Sequence, residues 1–137
     1  MLLAVELEMI PASISHIHKK AVDIQRQRIS KQPWLPSAGS FFKNVKNLEL
    51  AQTIAGLTDG MRQNGVVPAA FLSEACGCKG LRFGGAEISH LHANFLVNAG
   101  GASATDIRRG AEEIKHRVLD RFGVVLEEEV LFVGDWE

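Results

Sequence analysis

At 137 residues the chain has room for one domain of ordinary size and enough bulk to bury a core. Hydrophobic residues make up 46%, which excludes an intrinsically disordered chain, and 15 basic residues are interspersed with 16 acidic ones. That balance supplies no basic field for a nucleic-acid backbone and no polybasic stripe for a membrane surface, and no run approaches the ~18 apolar residues of a membrane span.

Met1-Leu2-Leu3-Ala4-Val5 runs straight into Glu6, too short for a signal peptide and without a basic leader, so the chain is expected in the cytoplasm. Residues 2–9 alternate around Glu6 and Glu8 and predict a strand ending near Pro11. Ser13 is a candidate N-cap for a helix in which Ile14, Ile17, Ala21, Ile24 and Arg28 follow helical spacing, ended by Gln32-Pro33. Residues 34–44 form a loop. Over 48–65, Leu50, Ile54 and Leu57 suggest a helical face that Gly56 and Gly60 interrupt, with a turn at Asn64-Gly65. Pro68 opens a helix carrying Ala69, Phe71, Leu72 and Ala75, and Gly77 stands just past its end.

Gly80, Gly84 and Gly85 mark backbone that must pass close to another strand or to a ligand. Residues 94–98 predict a short apolar strand. Ser103 or Thr105 caps the best helix, with Ile107, Ala111, Ile114, Val118 and Phe122 inward and Gly123 closing it. Residues 124–133 predict a last strand interrupted by an acidic triplet. Helices and strands mix without a βαβ rhythm or a phosphate-binding glycine fingerprint. The expected fold class is therefore α+β, with a single small mixed or antiparallel sheet covered by helices.

Cys76 and Cys78 form a lone C-x-C, and zinc normally takes four ligands. They read as packing residues, and no metal site is expected. His16 and His18, two apart on a helix, point to different faces.

The stretch with the most chemistry is Pro36-Ser37-Ala38-Gly39-Ser40-Phe41-Phe42-Lys43-Asn44. Gly39 permits positive φ, so the Ser40 hydroxyl can project from a tight turn that Phe41 and Phe42 anchor to a core. Lys43 and Asn44 add a cation and an amide. Taken alone, the segment also reads as an ordinary turn with a capping serine.

Four segments in order resemble the UDP-N-acetylenolpyruvoylglucosamine reductases (UDP-N-acetylmuramate dehydrogenases). They are the serine loop, Gly77-Cys78-Lys79-Gly80 with Gly84-Gly85-Ala86-Glu87-Ile88-Ser89, His92-Ala93-Asn94-Phe95-Leu96-Val97-Asn98, and Leu126-Glu127-Glu128-Glu129-Val130. The resemblance implies the family's C-terminal substrate-binding domain over residues 11–137, with 1–10 as the final strand of, or linker from, an FAD-binding domain that the chain does not match. It implies an NADPH- and FAD-dependent reduction of UDP-N-acetylglucosamine-enolpyruvate in peptidoglycan precursor synthesis, with the FAD-binding domain as partner and no cofactor-binding residue in this chain.

By the same resemblance Ser40 is the proton donor to the substrate's enolate carbon. Glu129 faces the enolate carboxylate, a role that requires a protonated carboxyl, favoured by burial and by the like charge of Glu127 and Glu128. Lys31 contacts the diphosphate, and Asn44 and His92 contact substrate. Read without the resemblance, Lys31 offsets a helix dipole, His92 is a satisfied half-buried ring, and Glu129 is a solvated strand-end acid. Val45 and Glu128 stand where the family usually has proline, which loosens both strands. The chain has no tyrosine, so no tyrosine lid comes from it. The isolated chain is expected to be inactive. A sugar-nucleotide-binding or partner-binding module without catalysis is the alternative.

Overall fold

The computed structural model describes residues 4–135, which divide after Lys31 into two compact units. In the first unit, α1 spans Ile14–Ile29. Ser13 caps it by accepting the His16 amide, and the Ser30 amide closes it on the Arg26 carbonyl. The predicted helix is therefore present, yet none of its residues is buried. The predicted strand is not: residues 4–9 form no ladder, and positions 2 and 3 lie outside the described residues. A strand needs a neighbour for its amides and carbonyls, and among the described residues no segment pairs with this one.

The second unit is α+β, as the mixture of periodicities predicts. In chain order it holds β1 (Val45–Lys46), α2 (Leu48–Thr53), α3 (Asp59–Gln63), β2 (Val66–Val67), α4 (Ala69–Ala75), β3 (Arg82–Phe83), β4 (Ala86–Ile88), β5 (Leu96–Asn98) and α5 (Ala104–Phe122). The strands fall into two small antiparallel sheets rather than one. β1 pairs with β2 (Val45↔Val67), and β3-β4-β5 form a meander with Glu87 opposite both Arg82 and Val97. The separation follows from the turn chemistry: α2 and α3 return the chain directly onto β1, so β1 and β2 satisfy each other locally.

Gly56, at φ +89°, breaks the 48–65 segment into two short helices, whereas Gly60 lies inside α3 and interrupts nothing. Pro68 stands at the N-cap of α4, and Gly77 just beyond it takes positive φ. α5 starts from a Ser103–Asp106 capping box and stops at left-handed Gly123. Ala111, Ile114 and Val118 are fully buried on its inner face, with Ile107 and Phe122 packed alongside. The core joins this face to Phe41, Phe42, Leu72, Ile88, Leu96 and Leu126.

Protein backbone, not a ligand, explains the close approach at Gly85. A Cβ there would stand 2.4 Å from both the Ala102 nitrogen and the Gly100 carbonyl oxygen. Residues 124–133 do not form the predicted strand. Their only bridge is Phe42↔Glu128, because the partner segment offers only residues 40–44 between the Gly39 turn and β1.

Candidate functional site

The 36–43 segment extends the meander without being a regular strand. Ser37 bridges Val97, and the Asn98 amide donates to the Pro36 carbonyl at 2.8 Å. Gly39 then turns at φ +92°, and its amide donates to Ser37 Oγ at 3.3 Å. Pairing resumes at once: the Phe41 amide donates to the Asn94 carbonyl at 2.8 Å. On the opposite side the Glu129 amide donates to the Phe41 carbonyl at 2.8 Å and the Lys43 amide to the Glu127 carbonyl at 2.9 Å. Ser40 thus sits at a kink in a strand-like segment held on both sides, an arrangement that re-aims a side chain out of regular alternation.

The kinked loop is anchored by its aromatic rings. Phe42 is 1% exposed, and the Phe41 and Phe42 centroids are 5.2 Å apart. Ser40 itself is exposed. Glu129 is also exposed, and the ladder brings its backbone beside the residue that follows Ser40.

The acidic triplet does not stand as an uncompensated run. Lys43 forms an ion pair with Glu127, and that hydrogen bond and charge, with Glu129 adding to them, raise the Lys43 pKa. Lys115 of α5 lies 2.9 Å from Glu128. Burial works against ionising Glu128, but the Lys115 hydrogen bond, with the Lys115 and Arg108 charges, outweighs it and holds the carboxyl below its usual range. The like charge of Glu127 and Glu128 expected to press on Glu129 is therefore countered by Lys43 and Lys115. Glu128, in the place expected for proline, fastens this segment to α5 by an ion pair.

Asn44 is exposed, and its Oδ1 accepts the Ala69 amide at 3.3 Å, so part of its capacity is spent on the start of α4. His92 is half-buried, edge-on to Phe95 at 4.8 Å, and its Nδ1 accepts the Asn94 amide at 3.3 Å. That bond assigns the ring proton to Nε2, leaving a neutral donor directed away from Asn94. Lys31 belongs to the first unit, where its amide donates to the Arg28 carbonyl at 3.1 Å.

Two adjoining clefts flank the loop. One of about 290 Å³ is lined by Ser37, Phe41, Asn98 and Ser103 among others; a more apolar one of about 370 Å³ runs between Phe41, Ile107 and residues 130–133. Neither has Ser40, Glu129, Asn44 or His92 in its lining. Among the described residues no group of three or more His, Cys, Asp or Glu comes together to hold a metal. The glycine turn before α5 is not a phosphate cradle either. The Gly100 and Ala102 amides both donate to Asn98 Oδ1, at 3.0 and 3.1 Å, and Ser103 and Asp106 close the helix start on themselves.

Burial pulls the His92 pKa down from 6.5, and the positive charge of Lys79 acts in the same direction. A lowered folded value means that the unfolded chain takes up a proton first. The stability gained by burying the neutral ring is present above pH 6.5 and is lost as the pH falls toward the lower folded value. In urea unfolding from pH 7.5 to 5.5, wild type should lose stability relative to His92→Gln. A gap between the two that does not change with pH would contradict this environment for the ring.

Sequence reasoning did not single out Asn94 as a functional position. It is 4% exposed and bonded to the serine loop through both main chain and side chain. The available signal was a carboxamide inside the otherwise apolar run 93–97, since a buried amide must have partners.

Fold and site together define a small α+β domain that presents polar groups from one kinked loop and one terminal segment. The family model for the UDP-N-acetylenolpyruvoylglucosamine reductase C-terminal domain matches residues 28–133. The chain is 40% identical over 131 residues to the UDP-N-acetylenolpyruvoylglucosamine reductase of Solibacter usitatus (strain Ellin6076), covering 94% of this chain and 42% of that protein. It is 34% identical over 134 residues to the reductase of Borrelia garinii subsp. bavariensis, covering 97% and 38%. The crystal structure of the reductase from Thermus caldophilus aligns with a TM-score of 0.51 at 32% identity, over 84% of this chain and 34% of that one. The chain thus belongs to the family of UDP-N-acetylenolpyruvoylglucosamine reductase C-terminal domains. It spans well under half the length of these relatives.

Proposed function

We propose that this chain is the substrate-binding and proton-donating part of a UDP-N-acetylmuramate dehydrogenase, acting in the cytoplasm with an FAD-binding region of the same enzyme. What carries the reading is the ladder that sets the Ser40 turn and the Glu129 segment side by side, although they come from opposite ends of the second unit. The shallow exposure of both residues supports a site whose other wall comes from elsewhere. FAD, held by its own region and reduced by NADPH, would supply hydride to the terminal vinyl carbon.

The tasks left to this chain are binding and proton control. Lys31 meets the diphosphate as a flexible cation. His92 offers its Nε2 proton to an oxygen of the sugar nucleotide, and Asn44 a further polar contact. Glu129 is the residue set against the substrate carboxylate. Donating a hydrogen bond there as negative charge develops requires a protonated carboxyl, and because Glu129 is exposed in this chain the burial for that must come from bound substrate and the FAD-binding region. Ser40 Oγ gives its proton to the carbon next to that carboxylate, and solvent returns one to the oxygen. Serine suits this task because it stays protonated at working pH and a carbanion-like carbon is basic enough to take its proton.

Titrating UDP-N-acetylglucosamine-enolpyruvate into the ¹⁵N-labelled chain should shift the amides of Lys31, Ser40, Asn44 and His92. No shift at millimolar ligand would remove the substrate contacts from the reading. Adding a separately produced FAD-binding region should then restore substrate-dependent NADPH oxidation. Docking of the two parts without turnover would favour a binding module that lacks catalysis.

A further inference from the structure

One residue with no assigned role, Asn94, links His92 to the loop that carries Ser40, at the point where that loop also pairs with the Glu129 segment. Asn94 makes four hydrogen bonds. Its amide donates to His92 Nδ1 at 3.3 Å and its carbonyl accepts the Phe41 amide at 2.8 Å. Its Oδ1 accepts the Phe42 amide and its Nδ2 donates to the Phe42 carbonyl, both at 2.9 Å. The side chain thus does for Phe42 what a neighbouring strand would do, supplying an acceptor and a donor at one position.

Main-chain pairing alone cannot serve there. The Gly39 turn has thrown the 36–43 segment out of register with β5, and the Glu127 and Glu129 bonds use the Phe41 carbonyl and the Lys43 amide instead. Without the carboxamide, the buried Phe42 would keep both polar groups unpaired. Of the uncharged side chains, only a carboxamide carries donor and acceptor in peptide-like geometry, and asparagine has the shorter reach.

We propose that Asn94 is a positioning residue whose carboxamide fixes the register of the Ser40 turn against the Glu127–Glu129 segment. The inference rests on the reading of Ser40 as proton donor. Asn94→Asp keeps the acceptor for the Phe42 amide and sets a carboxylate oxygen against the Phe42 carbonyl, so the turn should shift while the residue's shape is retained.

In a complete flavoenzyme containing this region, flavin reduction by NADPH should stay within about twofold of wild type. Its reoxidation by substrate should slow on the order of 10²-fold, with kcat falling far more than KM rises, because displacement of a reacting group by about 1 Å costs this much. Reoxidation at the wild-type rate, or equal loss in both half-reactions, would overturn the proposal. Should Ser40→Ala retain normal product formation, the proton-donor reading fails first; loss in Ser40→Ala with none in Asn94→Asp removes only the positioning role. A measurement on the unaltered 137-residue chain needs neither variant nor cofactor. The Phe42 amide should exchange with solvent as slowly as those of Ile88 and Ser89, which are bonded across the sheet, and exchange as fast as that of Gly39 would also overturn the proposal.

Discussion

Ser40→Ala in the complete flavoenzyme should leave flavin reduction by NADPH within about twofold and lower product formation by about 10²–10⁴-fold, the range for a positioned proton donor. The substitution removes one oxygen from an exposed side chain at a position whose conformation is set by the preceding Gly39 turn and the following Phe41 and Phe42 anchors. Packing is untouched, so unfolding free energy should change by no more than about 0.5 kcal/mol. A chemical loss without a stability loss is the signature of a proton donor. Equal damage to both half-reactions, or a large fall in stability, would contradict the role given to this hydroxyl.

Phe42→Ala should have the largest effect on stability, about 3–5 kcal/mol, as expected for emptying a fully buried aromatic site. Phe42 is 1% exposed, contacts the Phe41 ring, bridges Glu128 and exchanges two hydrogen bonds with Asn94. No single collapse refills that space, because the neighbouring backbone is tied on both sides. Leu131→Ala, at a position 90% exposed, should fall within about 0.5 kcal/mol of wild type. Urea unfolding of the three proteins decides the matter; a Phe42→Ala loss as small as that of Leu131→Ala would mean that the serine loop is not anchored in the core.

Several elements were readable because their signals are local. The cap and terminal glycine of α5 act within one turn of helix, so Gly123 marked its end and Ser103, one of the two cap candidates, its start; Asp106, the other half of the capping box, went unread. Positive φ at Gly39 followed from a turn that needs a residue without a Cβ. The four motifs pointed to the family, and the match over residues 28–133 agrees with them. Over the described residues 4–9 and over 124–133 the predicted strands were misread for one reason: alternation reports that a segment can be a strand, while a strand exists only where a partner presents its ladder.

By itself, the sequence determined the α+β class, the long helices and their caps, the glycine turn before Ser40, and the residue types available for the chemistry. Only the tertiary structure decided what the acidic triplet faces, because Lys43 and Lys115 reach it from distant segments. It also decided that the 36–43 segment pairs on both sides, and that one buried amide completes the pairing. These are contacts between residues far apart in the chain, selected by burial of the shared Phe41–Phe42 anchor, and no periodicity or short-range propensity encodes them.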